Sequence, residues 1–153
     1  MAGYILIPLA TLLTAVVGSS ITSRGMRWYK SIRKPSWTPP GSIIGAVWTV
    51  LYILATISAL ILWSMRNGMP IVAILGAFAL NAVLNALWSD VFFHRHLLGL
   101  AIIEALILEA SVLLLISLAW PISMLAAMLL IPYALWVLFA SYLTFCVWRM
   151  NER

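Results

Sequence analysis

The residues able to do chemistry in this 153-residue chain are few, and most carry aromatic rings, phenols or amides rather than charges. Glu104 and Glu109 fall inside an apolar run, where an ionisable side chain is costly and by default marks a functional or interhelical site. They stand five residues apart, roughly 140° around a helix, so one cavity can receive only one of them. His94 and His96 flank Arg95 in a polar stretch and lack the further ligands a metal centre needs; no metal site is expected. Cys146 is the single cysteine, so no intrachain disulfide forms, and a lone thiol in an apolar run reads as packing. No nucleophile–base–acid set, phosphate-cradling glycine loop or Cys/His cluster is present. What remains recurs at helical spacing: Trp48, Tyr52 and Ala55; Asn81, Asn85 and Trp88; Tyr133, Trp136, Ala140 and Thr144. Residues three and four apart share a helix face. Three such faces, each bearing an indole with a phenol or amide, read either as packing with interhelical hydrogen bonds or as the walls of a pocket.

The elements that must position these faces follow from composition. Hydrophobic residues make up 65%, charged residues 8%, and mean hydropathy is +1.10. A water-facing surface needs roughly 25% charge, so soluble, disordered and fibrous classes are excluded and an integral membrane protein is left. A crossing takes about 20 apolar residues. Stretches at about 4–21, 43–64, 70–89, 97–119 and 121–148 qualify; the first lacks the basic start of a signal peptide. None shows the alternation of a membrane β-barrel. The fold class expected is therefore an all-α bundle of five transmembrane helices forming a single domain, residues 1–153. Pro132 should kink the fifth span or mark a lead-in to it.

Charge orients the bundle. Arg24, Arg27, Lys30, Arg33, Lys34, Arg95, Arg149 and Arg153 lie on one side of a five-span chain, and only Arg66 on the other. The positive-inside rule puts the first loop and the C-terminus in the cytoplasm. The net charge of +5 is thus a topology signal, with no nucleic-acid partner implied. The missing transit peptide leans towards a prokaryotic plasma membrane. Gly41-x-x-x-Gly45, Ala55-x-x-x-Ala59, Ala82-x-x-x-Ala86 and Ala101-x-x-x-Ala105 are spacings that let helices approach closely in lipid. Trp63, Trp120 and Trp148, near span ends, read as interfacial belt residues.

The first loop, read as 24–42, combines five cations with Trp28, Tyr29, Trp37, Pro35, Pro39 and Pro40. Prolines restrict it to extended and turn geometry, and Pro40 suits the start of a helix. An interfacial anchor and a lid over a pocket are both open readings of it. Trp48 and Asn85 lie roughly 6–8 Å from the loop end of their helices, Glu104 about 10 Å and Trp136 about 18 Å. A cavity opening towards the basic loop, with Glu104 among its lining residues, accounts for this convergence.

At these residues the chain resembles the tryptophan-rich sensory proteins, the TspO/MBR family of translocator proteins and peripheral benzodiazepine receptors. The resemblance rests on Trp28-Tyr29-x4-Lys34-Pro35-x-Trp37-x-Pro39-Pro40, Val47-Trp48-Thr49-x-Leu51-Tyr52 and Leu84-Asn85-x2-Trp88-Ser89-x2-Phe92-Phe93. It continues through Pro132-Tyr133-x2-Trp136-x2-Phe139-Ala140-x-Tyr142-Leu143 and Trp148-Arg149-x-Asn151. It implies a five-helix bundle, usually a homodimer. It further implies a cavity that takes tetrapyrroles such as protoporphyrin IX, steroids and isoquinoline or benzodiazepine drugs, with no required cofactor. Trp48 and Trp136 match the family's two pocket tryptophans, tied in some bacterial members to light-dependent porphyrin breakdown; they are the candidate catalytic residues if the protein is an enzyme. Asn85 and Ala140 match pocket positions, and Trp28, Trp37 and Pro40 match the lid. Thr144 stands where the family usually has Asn. Leu138, Tyr142 and Arg149 miss the family's sterol spacing by one residue, so cholesterol is not the expected ligand. A porphyrin would stack on Trp48 and Trp136, gaining about 0.5–1.5 kcal/mol per aromatic pair, with its propionates towards the loop cations. Photo-oxidative degradation and transport are the alternative functions. Transport is the weaker, because no internal repeat is evident.

Overall fold

The computed structural model describes residues 2–67 and 71–152. Five helices are long and apolar enough to cross a membrane: α1 (Gly3–Ser31), α2 (Gly41–Ser64), α3 (Ile71–Ser89), α4 (Leu98–Ala119) and α5 (Met124–Asn151). No strand occurs among the described residues. A π-helical turn, Asp90–His94, prolongs α3. Pro70, the expected start of the third span, and Arg153 lie outside the described residues. The breaks fall where helix propagation fails: at the three prolines before α2, and at Trp120-Pro121, where Ser123 caps α5 by accepting from the Ala126 N–H. Pro132 lies inside α5 without interrupting it.

The first span departs from expectation. It was expected to end at 21 and to be the shortest; α1 runs ten residues further, to Ser31, and is the longest helix at 29 residues. Residues 24–31 are helical because they are amphipathic. Arg24, Arg27 and Lys30 are exposed, whereas Gly25 is buried and Trp28 and Tyr29 pack against Phe92 and Phe93 of the π turn. Packing of such a face, rather than propensity, sustains most protein helices. Lys34 completes the end by folding back, its ammonium donating to the carbonyls of Tyr29 and Ile32 and lying over the Tyr29 ring. A cation there also complements the helix dipole. The connection to α2 therefore shrinks to residues 32–40.

The dense part of the bundle is the seam between α4 and α5. Ala101, Ala105, Leu108, Val112, Leu115 and Ala119 form one stripe of α4, each no more than 2% exposed. It faces Ala126, Ala127, Tyr133 and Val137 of α5. Ser58 of α2 ties on by donating to the Ala126 carbonyl at 2.8 Å. Ala101-x-x-x-Ala105 thus serves close packing, as small residues in lipid do. Gly41-x-x-x-Gly45 does not: both glycines are exposed, and a Cβ on either would meet nothing within 4 Å. Of the expected belt tryptophans, Trp120 is exposed, while Trp63 and Trp148 are half-buried, filling the space left by Gly3 and Gly99.

Candidate ligand cavity

A cavity of about 640 Å³ lies among α1, α2, the α3 end with its π turn, and α5. Its lining runs over the C-terminal half of α1, the first three turns of α2, the last turns of α3, and α5 from Trp136 to Val147. Chain direction places all four stretches at the first-loop end of the bundle. Pockets for drug-sized molecules typically measure about 300–1,000 Å³.

Trp48, Tyr52, Asn85, Trp88, Trp136, Ala140 and Thr144, expected from helical spacing, all line this space. Trp48 is held by packing on Tyr133, whose ring stands edge-on at 6.0 Å, and Trp136 by Phe139 at 5.3 Å. Trp88 stacks on Phe92 at 5.2 Å. Thr144 returns its hydroxyl proton to the Ala140 carbonyl. The indole nitrogens of Trp88 and Trp136 are buried without a partner, a cost offset only when an acceptor arrives.

Four expected residues lie elsewhere. Glu104 is 5% exposed, but α4 contributes nothing to the lining, so its depth in the membrane does not bring it to the cavity. Helical depth sets height, not azimuth, and α4 stands behind α3 and α5. Trp28 stacks on His96 at 4.0 Å, outside the wall; His96 holds this position with a positive φ of 59°, uncommon for a side-chain-bearing residue. Trp37, 46% exposed, lies flat on Tyr142 and edge-on to Phe139, itself a lining residue. Pro40 caps α2 one residue before the lining begins at Gly41. The loop is tied down at its start, where Asn151 accepts from the Arg33 N–H and donates to the Arg33 carbonyl, at 3.0 and 2.8 Å. None of the loop cations lines the cavity, whose walls carry no charged side chain.

Sequence reasoning missed the α1 wall. Ala15, Gly18, Ser19, Thr22, Met26 and Tyr29 repeat at three and four residues and close one side of the cavity. The available signal was the hydroxyl cluster Ser19-Ser20-x-Thr22-Ser23 within an apolar span. It missed Ser111 as well. A buried chain of hydrogen bonds runs from the Tyr52 hydroxyl to Asn85 Oδ1 (2.7 Å) and from Asn85 Nδ2 to the Tyr133 hydroxyl (3.1 Å). It continues from Tyr133 to Asn81 Oδ1 (3.0 Å), from Asn81 Nδ2 to Ser111 (2.8 Å) and from Ser111 to the Leu108 carbonyl (2.7 Å). The chain joins α2, α3, α5 and α4.

Comparison with known proteins finds relatives along most of the chain. A family model described as the TspO/MBR family matches residues 4–149. The translocator protein of Homo sapiens is 35% identical over 148 residues, 94% of this chain and 87% of that protein. The CrtK protein of Rhodobacter capsulatus is 36% identical, covering 81% of this chain and 78% of that one. The tryptophan-rich protein TspO of Bacillus cereus is 38% identical, with 81% and 80% covered.

Proposed function

The chain belongs to the TspO/MBR family and is an integral, multi-pass membrane protein, and from that premise we propose that it is a membrane receptor for tetrapyrroles of the protoporphyrin IX type. The same cavity takes isoquinoline- and benzodiazepine-type molecules and steroids of similar breadth. The observation that carries this reading is the meeting of Trp48, Trp88 and Trp136, from three different helices, around one cavity of about 640 Å³. Indole faces on several sides favour a ligand with two large π faces. The tetrapyrrole is the ligand and not a resident cofactor. Its carboxylates extend past the rim, because the walls are uncharged while Arg24 and Arg27 neighbour the lining residues Ser23 and Met26 in α1. The protein acts as a homodimer in a prokaryotic plasma membrane, with the first loop and the C-terminus cytoplasmic, as its charge asymmetry favours.

Titration of the purified protein with protoporphyrin IX, followed at the Soret band, tests this. Replacing Trp48 and Trp136 together with leucine should weaken binding about tenfold or more, from two lost aromatic contacts. An unchanged affinity removes the proposal. The presence of both indoles in one cavity favours a second reading, light- and oxygen-dependent breakdown of the bound porphyrin. Illumination under oxygen decides it: Soret decay no faster than that of porphyrin in empty micelles eliminates this activity.

A further inference from the structure

The buried hydrogen-bond chain has a direction, and the direction determines what Tyr52 offers to the cavity. Asn81, Asn85, Ser111 and Tyr133 are each at least nine-tenths buried, so the chain is shielded from solvent as far as Tyr52, its end at the cavity wall. Two polarities are possible for such a chain, since each hydroxyl can rotate and each amide can turn over. In the first, Tyr52 donates to Asn85, Asn85 to Tyr133, Tyr133 to Asn81, Asn81 to Ser111, and Ser111 to the Leu108 carbonyl, which makes five bonds. In the second, every link is reversed. Ser111 then gives its proton to Asn81 and loses the Leu108 carbonyl, and the Tyr52 proton is left facing the cavity with no partner in the network. The reversed chain has four bonds and a loose donor, so the first polarity prevails. The helix carbonyl of Leu108, an acceptor that cannot become a donor, anchors it.

We infer that this chain makes Tyr52 a hydrogen-bond acceptor towards the cavity, so that between flat aromatic ligands of the same shape the site prefers the one with an N–H or O–H directed at Tyr52. Tyr52 has spent its proton on Asn85 and retains a lone pair. Its oxygen lies opposite Gly18 of α1, 3.8 Å from where a Cβ on that glycine would stand, and both residues line the cavity. The Trp88 and Trp136 indole nitrogens are buried and can only donate, and the serine and threonine hydroxyls of the lining can do either. Tyr52 is the phenol that the network fixes as an acceptor, and Ser111, on α4 and outside the lining, acts as a positioning residue through three intermediaries. Without the Ser111 hydroxyl both polarities retain three bonds, and Tyr52 becomes free to donate.

The inference rests on the cavity taking flat aromatic ligands, and a matched pair of probes separates the two claims. Carbazole carries a ring N–H; dibenzofuran has nearly the same shape with a ring oxygen that only accepts. Calorimetric titration of each into the detergent-solubilised protein gives the ratio of their affinities. The wild type should show a carbazole preference about fivefold greater than Tyr52→Phe does, the worth of one ordinary hydrogen bond. Ser111→Ala should bring the ratio down to the Tyr52→Phe value, and Ser111→Thr, which keeps the hydroxyl, should restore it. Tyr133→Phe cuts the chain one link from Asn85 and serves the same purpose if Ser111→Ala does not fold. A purely structural role for Ser111 would shift both affinities together and leave the ratio alone. A ratio unchanged by Tyr52→Phe, or by either cut, overturns the inference while leaving the cavity assignment standing. Failure of both probes to bind the wild type overturns both.

Discussion

The two sides of the bundle are built on opposite plans. Along the α4–α5 seam, alanines and leucines interlock, and 39% of the most apolar window of each helix is buried; for α1 the corresponding share is 6%. The seam is solid, whereas α1 is laid over a hollow. It is fixed at a few points: Gly3 under Trp63, Gly25 against the Phe93 backbone, and Trp28 and Tyr29 on the π turn. A stiff partner on one side is what allows the other side to stay open, because a cavity persists only where its walls cannot collapse into it. The division also explains why the polar chain ends on α4. A hydrogen bond anchored in the rigid seam keeps its orientation, and it passes that orientation to the wall of the hollow.

This contrast can be broken by substitution. The largest effect is expected in the seam: Leu115→Ala, at a site 1% exposed, should destabilise the protein by about 2–5 kcal/mol, measured by unfolding in mixed micelles. Leu13→Ala on α1, 65% exposed, should change stability by less than about 0.5 kcal/mol. Equal losses at the two sites would erase the distinction. Next comes Gly25→Val, whose Cβ would run into the Phe93 carbonyl and Cβ. It should cost about 1–3 kcal/mol and weaken porphyrin binding as α1 lifts, a change visible as increased accessibility of a Thr22→Cys reporter. Asn151→Ala removes both bonds to Arg33; it should cost about 1 kcal/mol and speed proteolysis within residues 32–40. Gly45→Ala should have a small effect of the opposite sign. It adds a methyl group where nothing lies within 4 Å, and should stabilise by up to about 1 kcal/mol through the helix backbone alone.

Much of this was legible in the amino-acid order, and the remainder was hidden for identifiable reasons. Apolar run length marks five spans because the bilayer sets a minimum length, and spacing of three and four groups Trp48 with Tyr52, Asn85 with Trp88, and Trp136 with Ala140. All six line the cavity. Periodicity defines a face but not the helix opposite it, so Asn81 was visible while its partner on α4, Ser111, was not. The same gap put Glu104 in the wrong place: its height was right, but the azimuth of α4 depends on tertiary packing. The end of α1 was misjudged because arginine and lysine density reads as loop, although their spacing leaves Gly25, Trp28 and Tyr29 on a single buried side. The π turn at residues 90–94 has no composition of its own; it is defined by the bond from the Arg95 N–H to the Asp90 carbonyl, and it carries Phe92 and Phe93 to the cavity.

Filling the hollow tests its role most directly. Ala140 lines the cavity on α5, one turn beyond Trp136, and Ala140→Trp would occupy the space where a planar ligand must lie. Titrated with protoporphyrin IX beside the wild type, this variant should bind at least about tenfold more weakly, a loss of about 1.4 kcal/mol or more, with its unfolding midpoint unchanged. Wild-type affinity in the filled protein would contradict the account, since the porphyrin would then be bound somewhere other than among Trp48, Trp88 and Trp136.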